Sequence, residues 1–230
     1  MTFLDAFFPR RCLGCGQTGG YFCPSCLPKI KRVTQICPVC ERPSPFGQTH
    51  PRCYSRPSLT GLISFFVYEG IIRKAIHRLK YRQVTDLLEE LWQIVTQELG
   101  GRAEELSGFH QFLKEKPAVI PVPLFWYKEN LRGFNQSSLI GERLAERCNL
   151  TFLSNFLIRQ KMTSTQTKLN PKERQKNVGN AFIINPDYSL PIADCILIDD
   201  VWTTGATLKT AGSVLKRAGT KNVWGLTLAR

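Results

Sequence analysis

Cys195-Ile196-Leu197-Ile198-Asp199-Asp200-Val201-Trp202-Thr203-Thr204-Gly205-Ala206-Thr207 is an apolar run that ends in two acids and passes into a small, hydroxyl-rich loop. The Ile/Leu run is short and bounded, the pattern of a strand buried in a parallel sheet. A helical pattern follows, with Leu208, Ala211, Val214, Leu215 and Ala218 on one face before Gly219 stops it. The fold class read from this run is α/β, a parallel sheet flanked by helices, and ligands of such sheets sit at strand ends. A loop that opens a helix points unpaired N–H groups outward. Thr203, Thr204 and Thr207 add hydroxyl donors, so the segment suits an anion such as a sugar 5′-phosphate. Gly205 and Ala206 are small, and the glycine lets the backbone come close. The carboxylates of Asp199 and Asp200 accept hydrogen bonds from hydroxyls, which suits a ribose 2′,3′-diol beside that phosphate.

These residues resemble the phosphoribosyl pyrophosphate (PRPP) signature of type I phosphoribosyltransferases, in which apolar residues precede Asp-Asp and a Thr-Thr-Gly-x-Thr loop. A plain strand-to-helix turn with Thr203 as N-cap and solvated acids is the competing reading, but a cap uses one hydroxyl, not three. A nucleoside triphosphatase loop needs a Lys after its glycine, and Ala206 follows Gly205 here.

The chain has 230 residues, enough for one full α/β domain and a small appendage. Hydrophobic residues make up 43%, ordinary for a globular protein, and no apolar stretch approaches the roughly 18 residues of a membrane helix. Met1 to Phe8 is too short and lacks the basic leader of a signal peptide, so the expectation is a cytoplasmic protein without membrane insertion. A formal charge of +13 points to polyanionic partners or substrates, either nucleic acid or phosphorylated metabolites.

Seven of the nine cysteines fall at or before Cys53. Cys12-x-x-Cys15, Cys23-x-x-Cys26 and Cys37-x-x-Cys40 have the spacing that places two thiolates on one tetrahedral metal, and His50-x-x-Cys53 completes a fourth pair. Eight ligands make two closed, structural zinc sites. Sequential pairing assigns Cys12, Cys15, Cys23 and Cys26 to one and Cys37, Cys40, His50 and Cys53 to the other, as in a double zinc ribbon. A cross-brace, first pair with third and second with fourth, is the alternative. His50 is either a ligand or a solvated loop residue. Disulfides are disfavoured in a reducing compartment. Cys148 and Cys195 lie in apolar patterns and read as buried.

Pro43 to Pro57 is rich in Pro, Ser and polar residues, which divides the chain into a double zinc ribbon over residues 1–57 and an α/β domain over 58–230. Leu59 to Tyr68 reads as a strand leading into a helix with Ile71, Ile72, Ala75, Ile76 and Leu79 inward. Its other face carries Arg73, Lys74, Arg78, Lys80 and Arg82, with Tyr81 among them; this is either a nucleic-acid contact or a solvated face. A second helix spans Asp86 to Leu99 and is expected to end at Gly100-Gly101. Ala118 to Leu124 is a strand with prolines at its end, followed by a basic loop in which Lys128 and Arg132 could reach a pyrophosphate, then a helix from about Ser137. Arg159 to Lys176 is a long polar stretch of the kind that forms lids, with Gln166 and Arg174 as the groups it would bring in. Val223 to Leu228 is the last strand and is expected to close the sheet.

Taken together, the cysteine pairs, the Pro-Val-Pro strand with Arg132-Gly133-Phe134-Asn135-Gln136, the Gln166 to Phe182 segment with Arg174 and Asn177, and the Asp199 to Thr207 loop are similar to the ComF family. This is the competence-associated, phosphoribosyltransferase-like group, and the likeness is to the ComFC kind. The resemblance spans nearly the whole chain. It implies a type I phosphoribosyltransferase fold, zinc binding and, in transformable bacteria, a part in taking up single-stranded DNA. His50 departs from the pattern, since the family's fourth pair is usually Cys-x-x-Cys.

Two function classes follow. In one, an enzyme binds PRPP with Mg²⁺, Asp199 and Asp200 hold the ribose, Lys128 or Arg132 stabilises departing pyrophosphate, and an unidentified acceptor attacks. In the other, a non-catalytic module senses PRPP or another phosphate and holds single-stranded DNA beside a helicase or recombination protein through the zinc ribbons, the basic helix, Tyr21 and Phe22.

Overall fold

The structure is a computed structural model that describes residues 9–55, 57–81, 85–160, 181–188 and 192–230. Its centre is a four-stranded parallel sheet of β1 (Gly61–Phe66), β6 (Asn222–Ala229), β5 (Asp194–Val201) and β2 (Ala118–Pro121), in that order. The expected α/β class is therefore present. The strand-forming run Cys195 to Ile198 is completely buried, as a strand covered on both faces must be. β6 differs from expectation. It does not close the sheet but lies inside it, which its unbroken burial from Val223 to Ala229 explains.

Alternation along β5 sorts the two layers, because successive side chains point to opposite faces. Ile196 and Ile198 pack with Ile72, Ile76, Leu91 and Ile140, so α1 (Gly70–Tyr81), α2 (Thr85–Gly101) and α5 (Gln136–Cys148) cover that face. Cys195 and Leu197 pack with Leu208, Ala211 and Leu215 of α6 (Ala206–Arg217) on the other. A separate antiparallel pair, β3 (Leu157–Arg159) with β4 (Phe182–Ile184), joins α6 on that second face. The helices that follow β2 and β5, neighbouring strands, thus leave to opposite sides. That divergence opens a crevice at their carboxyl ends.

Two helices lie where the sequence pattern indicates none. α3 (Ser107–Lys114) buries Phe109 and Phe112, each ring centroid 5.6 Å from that of Trp224. Gly100 and Gly101 hide it by suggesting an early stop, yet α2 runs through both glycines and the Arg102 N–H still donates to the Glu98 carbonyl at 3.1 Å. Tertiary contact decides this: Glu98 is buried and holds Arg32 through two bonds of 2.7 and 2.8 Å. α4 (Trp126–Arg132) replaces the expected basic loop, and Gly133 ends it at a φ of 73°, a left-handed cap.

The cysteine-rich segment lies along the β1 edge of the sheet. Val33 N–H donates to Phe65 O and Val67 N–H to Lys31 O. The Gln35 side chain donates to Ser64 O at 2.8 Å and accepts from Ser64 N–H at 3.1 Å. Backbone groups that an edge strand would otherwise expose are satisfied in this way. Glu90 of α2 accepts the N–H groups of Tyr21 and Phe22 at 2.7 and 3.2 Å, which fastens the first ribbon to the same layer. No helix among the described residues is long and apolar enough to cross a membrane.

Candidate functional site

A cleft of about 270 Å³ lies at the carboxyl ends of β5 and β2, and Asp199, Asp200, Thr203, Thr207 and Arg132 all line it. Asp200 continues the Ile196/Ile198 face of β5, toward α1, and there Lys80 meets it at 2.7 Å. Asp199 accepts the N–H of Asp200 at 2.8 Å and the Ser137 hydroxyl at 3.4 Å. Burial at the strand end, followed by the neighbouring Asp200 charge, pushes the Asp199 carboxyl up to about 7, while the Asp200 N–H, Lys80 and Ser137 pull the other way. The paired acids are therefore unlike each other: Asp200 is held by a cation, and Asp199 keeps acceptor capacity for a ligand.

The loop after β5 turns into α6 at Gly205, whose φ of 68° is left-handed and whose position as N-cap brings no side-chain cap. Thr203 is thus not the cap. It lines the cleft with Thr207, while Thr204 and Ala206 lie exposed, the Thr204 hydroxyl accepting the Ala206 N–H at 3.4 Å. Beneath the loop the buried Trp202 indole fills the space beside Gly205 so closely that a Cβ there would fall 2.2 Å from Cζ2. Gly205→Ala is accordingly expected to distort the loop, costing about 2–3 kcal/mol of stability by clash and backbone strain. Thermal melting and ligand titration would check it. A variant with wild-type melting and binding would mean the loop has room that its geometry denies.

Arg132-Gly133-Phe134-Asn135-Gln136 forms the opposite wall. Asn135 caps α5 by accepting the Ser137 N–H at 3.0 Å and ties back to β2 by donating to Val122 O at 3.0 Å. Gln136 accepts from Arg132 at 3.0 Å and donates to Leu79 O at 3.2 Å, so one side chain joins α4, α5 and α1. The helix start near Ser137 was read from the sequence, but the Gly133 stop and the Asn135 cap were not. Lys128 lies in α4, but its side chain is outside the described residues.

The cysteines and His50 form two clusters, Cys12, Cys15, Cys23 and Cys26, then Cys37, Cys40, His50 and Cys53, with the ligand atoms of each within 4.8 Å of one another. Pairing is therefore sequential, and the cross-brace is excluded. A tetrahedral Zn²⁺ with thiolates at about 2.3 Å needs sulfurs about 3.8 Å apart, so both clusters fit a zinc ion. His50 lies where a ligand would stand: Nδ1 is 3.4 Å from Cys40 Sγ, and Nε2 is 3.2 Å from the Pro43 carbonyl, an outer contact of the kind that fixes a metal-binding tautomer. Burial alone would raise the Cys12 thiol, yet the N–H groups of Cys23, Cys15 and Gly14 pull it down to about 6. Burial and the adjoining thiols push Cys26 up to about 12. Four such thiols cannot all ionise together without a cation between them.

Comparison with known proteins agrees with the cysteine-rich half of this architecture and finds relatives along the chain. The double zinc ribbon domain family matches residues 3–54. Competence protein F of Haemophilus influenzae is 38% identical over 52% of the chain, a match that covers about half of that relative (53%). DNA utilization protein YhgH of Salmonella typhimurium is 29% identical over 88% of both chains. Competence protein ComFC of Bacillus subtilis is 28% identical over 86% of this chain and 78% of its own. These relatives and the ribbon match support a ComF-family protein.

The cysteine clusters and the cleft are physically linked. Glu41, at a left-handed φ of 60° in the turn after Cys40, pairs with Lys209 of α6 at 2.9 Å, and Lys209 also donates to Thr204 O at 3.1 Å and lies over the Trp202 ring. The basic face of α1 is only partly available to a polyanion. Arg73 is exposed, but Lys74 donates to Leu13 O at 3.0 Å, Arg78 stacks on Tyr21, and Lys80 turns into the cleft. Tyr21 is itself buried, which removes it from base stacking. Arg82 and the lid candidates Gln166, Arg174 and Asn177 lie outside the described residues. Sequence reasoning missed Ser137, Gln136 and Arg159 as lining groups, and it placed Lys80 in a different surface.

Proposed function

We propose that the cleft binds PRPP together with Mg²⁺ and that the chain transfers or senses phosphoribosyl groups in a competence-type handling of DNA. The observation that carries this reading is the convergence of Asp199, Asp200, Thr203, Thr207, Lys80 and Arg132 on one crevice between β5 and β2. A dianionic 5′-phosphate would meet the α6 N-terminus and the Thr203 and Thr207 hydroxyls. The ribose diol would donate to Asp199 and Asp200, and pyrophosphate would face Arg132. The pyrophosphate oxygens would hold Mg²⁺, which would offset their charge, so the protein needs no dedicated metal cage.

In the transfer reading, the anomeric C–O bond breaks with its electron pair leaving on pyrophosphate, and an acceptor lone pair forms the new bond at the same carbon. The transition state carries positive charge on the sugar ring, which the Asp199/Asp200 pair stabilises while Arg132 stabilises the leaving group. No protein nucleophile is required. The relatives' printed names, competence protein and DNA utilization protein, support the setting. The same names and the +13 charge favour, as a second reading, a non-catalytic module that holds single-stranded DNA beside a helicase or recombination protein.

Calorimetry should detect Mg²⁺-dependent PRPP binding, weakened about ten-fold or more in Arg132→Ala through loss of a charge-assisted contact. Pyrophosphate release in the presence of candidate acceptors separates transfer from sensing. Absence of PRPP binding to the folded, zinc-loaded protein would overturn the reading.

A further inference from the structure

The three buried tryptophans, Trp92, Trp202 and Trp224, are each 8% exposed or less, but Trp126 is 61% exposed. Tyr127 and Leu131 beside it on α4 are 48% and 69% exposed. Phe125 and Tyr127 brace the Trp126 indole with ring centroids 5.7 and 6.0 Å away, so the patch is a supported shelf. Such a cluster is unusual on a strongly basic surface and marks a contact site. Its place in the fold is specific. Leu124, just before α4, and Arg132, at its end, both line the phosphosugar cleft, which puts the shelf at the mouth of that cleft.

We propose that α4 is a stacking platform for the unpaired bases of a single-stranded nucleic acid, with Trp126 and Tyr127 taking the base faces and the strand running past the cleft mouth. Three features select this occupant. Aromatic faces accept any base without reading sequence, and a net positive chain attracts a phosphate backbone, the combination by which single strands are held. The chain carries +13, complementary to a polyanion and repulsive toward a second copy of itself. Three side chains on a seven-residue helix are also far short of the roughly 1,200 Å² that a stable dimer buries. A duplex is disfavoured because its bases are already stacked and paired. About 9 Å of helix axis separates Trp126 from Arg132, so a base on the shelf keeps its own sugar and phosphate within reach of the cleft entrance. The stacking contact moves the nucleic-acid surface from α1, whose Lys74, Arg78 and Lys80 are engaged, to α4. The strand's path past the cleft rests on the PRPP reading; the stacking itself does not.

Because the other tryptophans are buried, quenching of intrinsic fluorescence by contact with a base reports on Trp126. Titration with a thymidine decamer should quench it, and Trp126→Ala should abolish the quench. Trp126→Ala/Tyr127→Ala should weaken decamer binding about ten-fold or more, with melting temperature and PRPP calorimetry unchanged. A decamer of the same phosphates with abasic sugars should bind the wild type as weakly as the thymidine decamer binds that variant. Equal affinity of wild type and variant for the thymidine decamer, or equal affinity of wild type for abasic and thymidine strands, would overturn the platform. So would a wild-type dimer in sedimentation that the double variant converts to monomer with decamer affinity unaltered. Decamer binding with quench in a protein that ignores PRPP would uphold the shelf and remove the cleft reading.

Discussion

Asp199→Asn is expected to raise the melting temperature at pH 8 while weakening PRPP binding about 10- to 100-fold. The two effects share one cause. Burial and the nearby Asp200 charge lift the folded-state carboxyl to about 7 from an ordinary value of 3.8. Between those values the folded protein holds a proton that the unfolded chain has released, so this group's contribution to stability falls as pH rises from about 4 to about 7. An amide carries no charge to desolvate. Discounted for the partial exposure of Asp199, its gain should be about 1–2 kcal/mol at pH 8, or about 2–6 °C, shrinking toward nothing near pH 4. Binding moves oppositely, because the diol hydroxyls lose a charged acceptor worth about 1.5–3 kcal/mol. Wild-type affinity for PRPP with Mg²⁺ should likewise rise between pH 6 and 8. Unchanged PRPP affinity in folded Asp199→Asn would remove Asp199 from the site. A melting gain equal at pH 4 and pH 8 would show that its charge is not the cause. The arrangement is a destabilised functional group at a strand end, the trade a binding site often makes.

Removal of zinc should have the largest effect on stability. Elemental analysis is expected to return two zinc ions per chain, one in His50→Ala and two in His50→Cys, since the second cluster accepts a thiolate where His50 stands. Stripping both ions from a segment with few large apolar residues should unfold it, because binding energy is folding energy in such modules. The consequence extends beyond the ribbons. The Gln35 pair with Ser64 and the backbone bonds from Val33 and to Lys31 would be lost, leaving the β1 edge uncovered. A drop of more than about 10 °C in melting temperature, with aggregation through that edge, is expected by calorimetry and light scattering. PRPP affinity should also fall several-fold, since Glu41 no longer holds Lys209 against the Thr204 carbonyl. Unaltered melting after confirmed loss of both ions would make the metals incidental to the fold.

Much of the α/β domain was legible because its signals are local. The Cys195 to Ile198 run is buried on both faces wherever it lies in a parallel sheet, and the apolar spacing of α1 and α6 follows from 3.6 residues per turn. The zinc ligands were legible for the same reason, each pair being a turn that makes its own geometry. What local pattern could not supply was direction and partnership. Lys80 belongs by sequence to a basic run, yet packing of Ile72 and Ile76 against β5 rotates α1 so that this one lysine meets Asp200. The glycines at 100 and 101 look like a stop, but the buried Glu98–Arg32 contact carries α2 past them. Trp126 reads as one aromatic among fourteen Phe, six Tyr and four Trp, and only the fold leaves it exposed between Leu124 and Arg132 of the cleft. By itself, then, the sequence determined the sheet strands, the helices α1, α2, α5 and α6, the metal-ligand pairs and the Asp-Asp and threonine loop, whose physics is short-range. The tertiary structure decided the sequential zinc pairing, the cation on Asp200, the raised Asp199 and the exposed shelf, because each depends on which distant surfaces exclude water together.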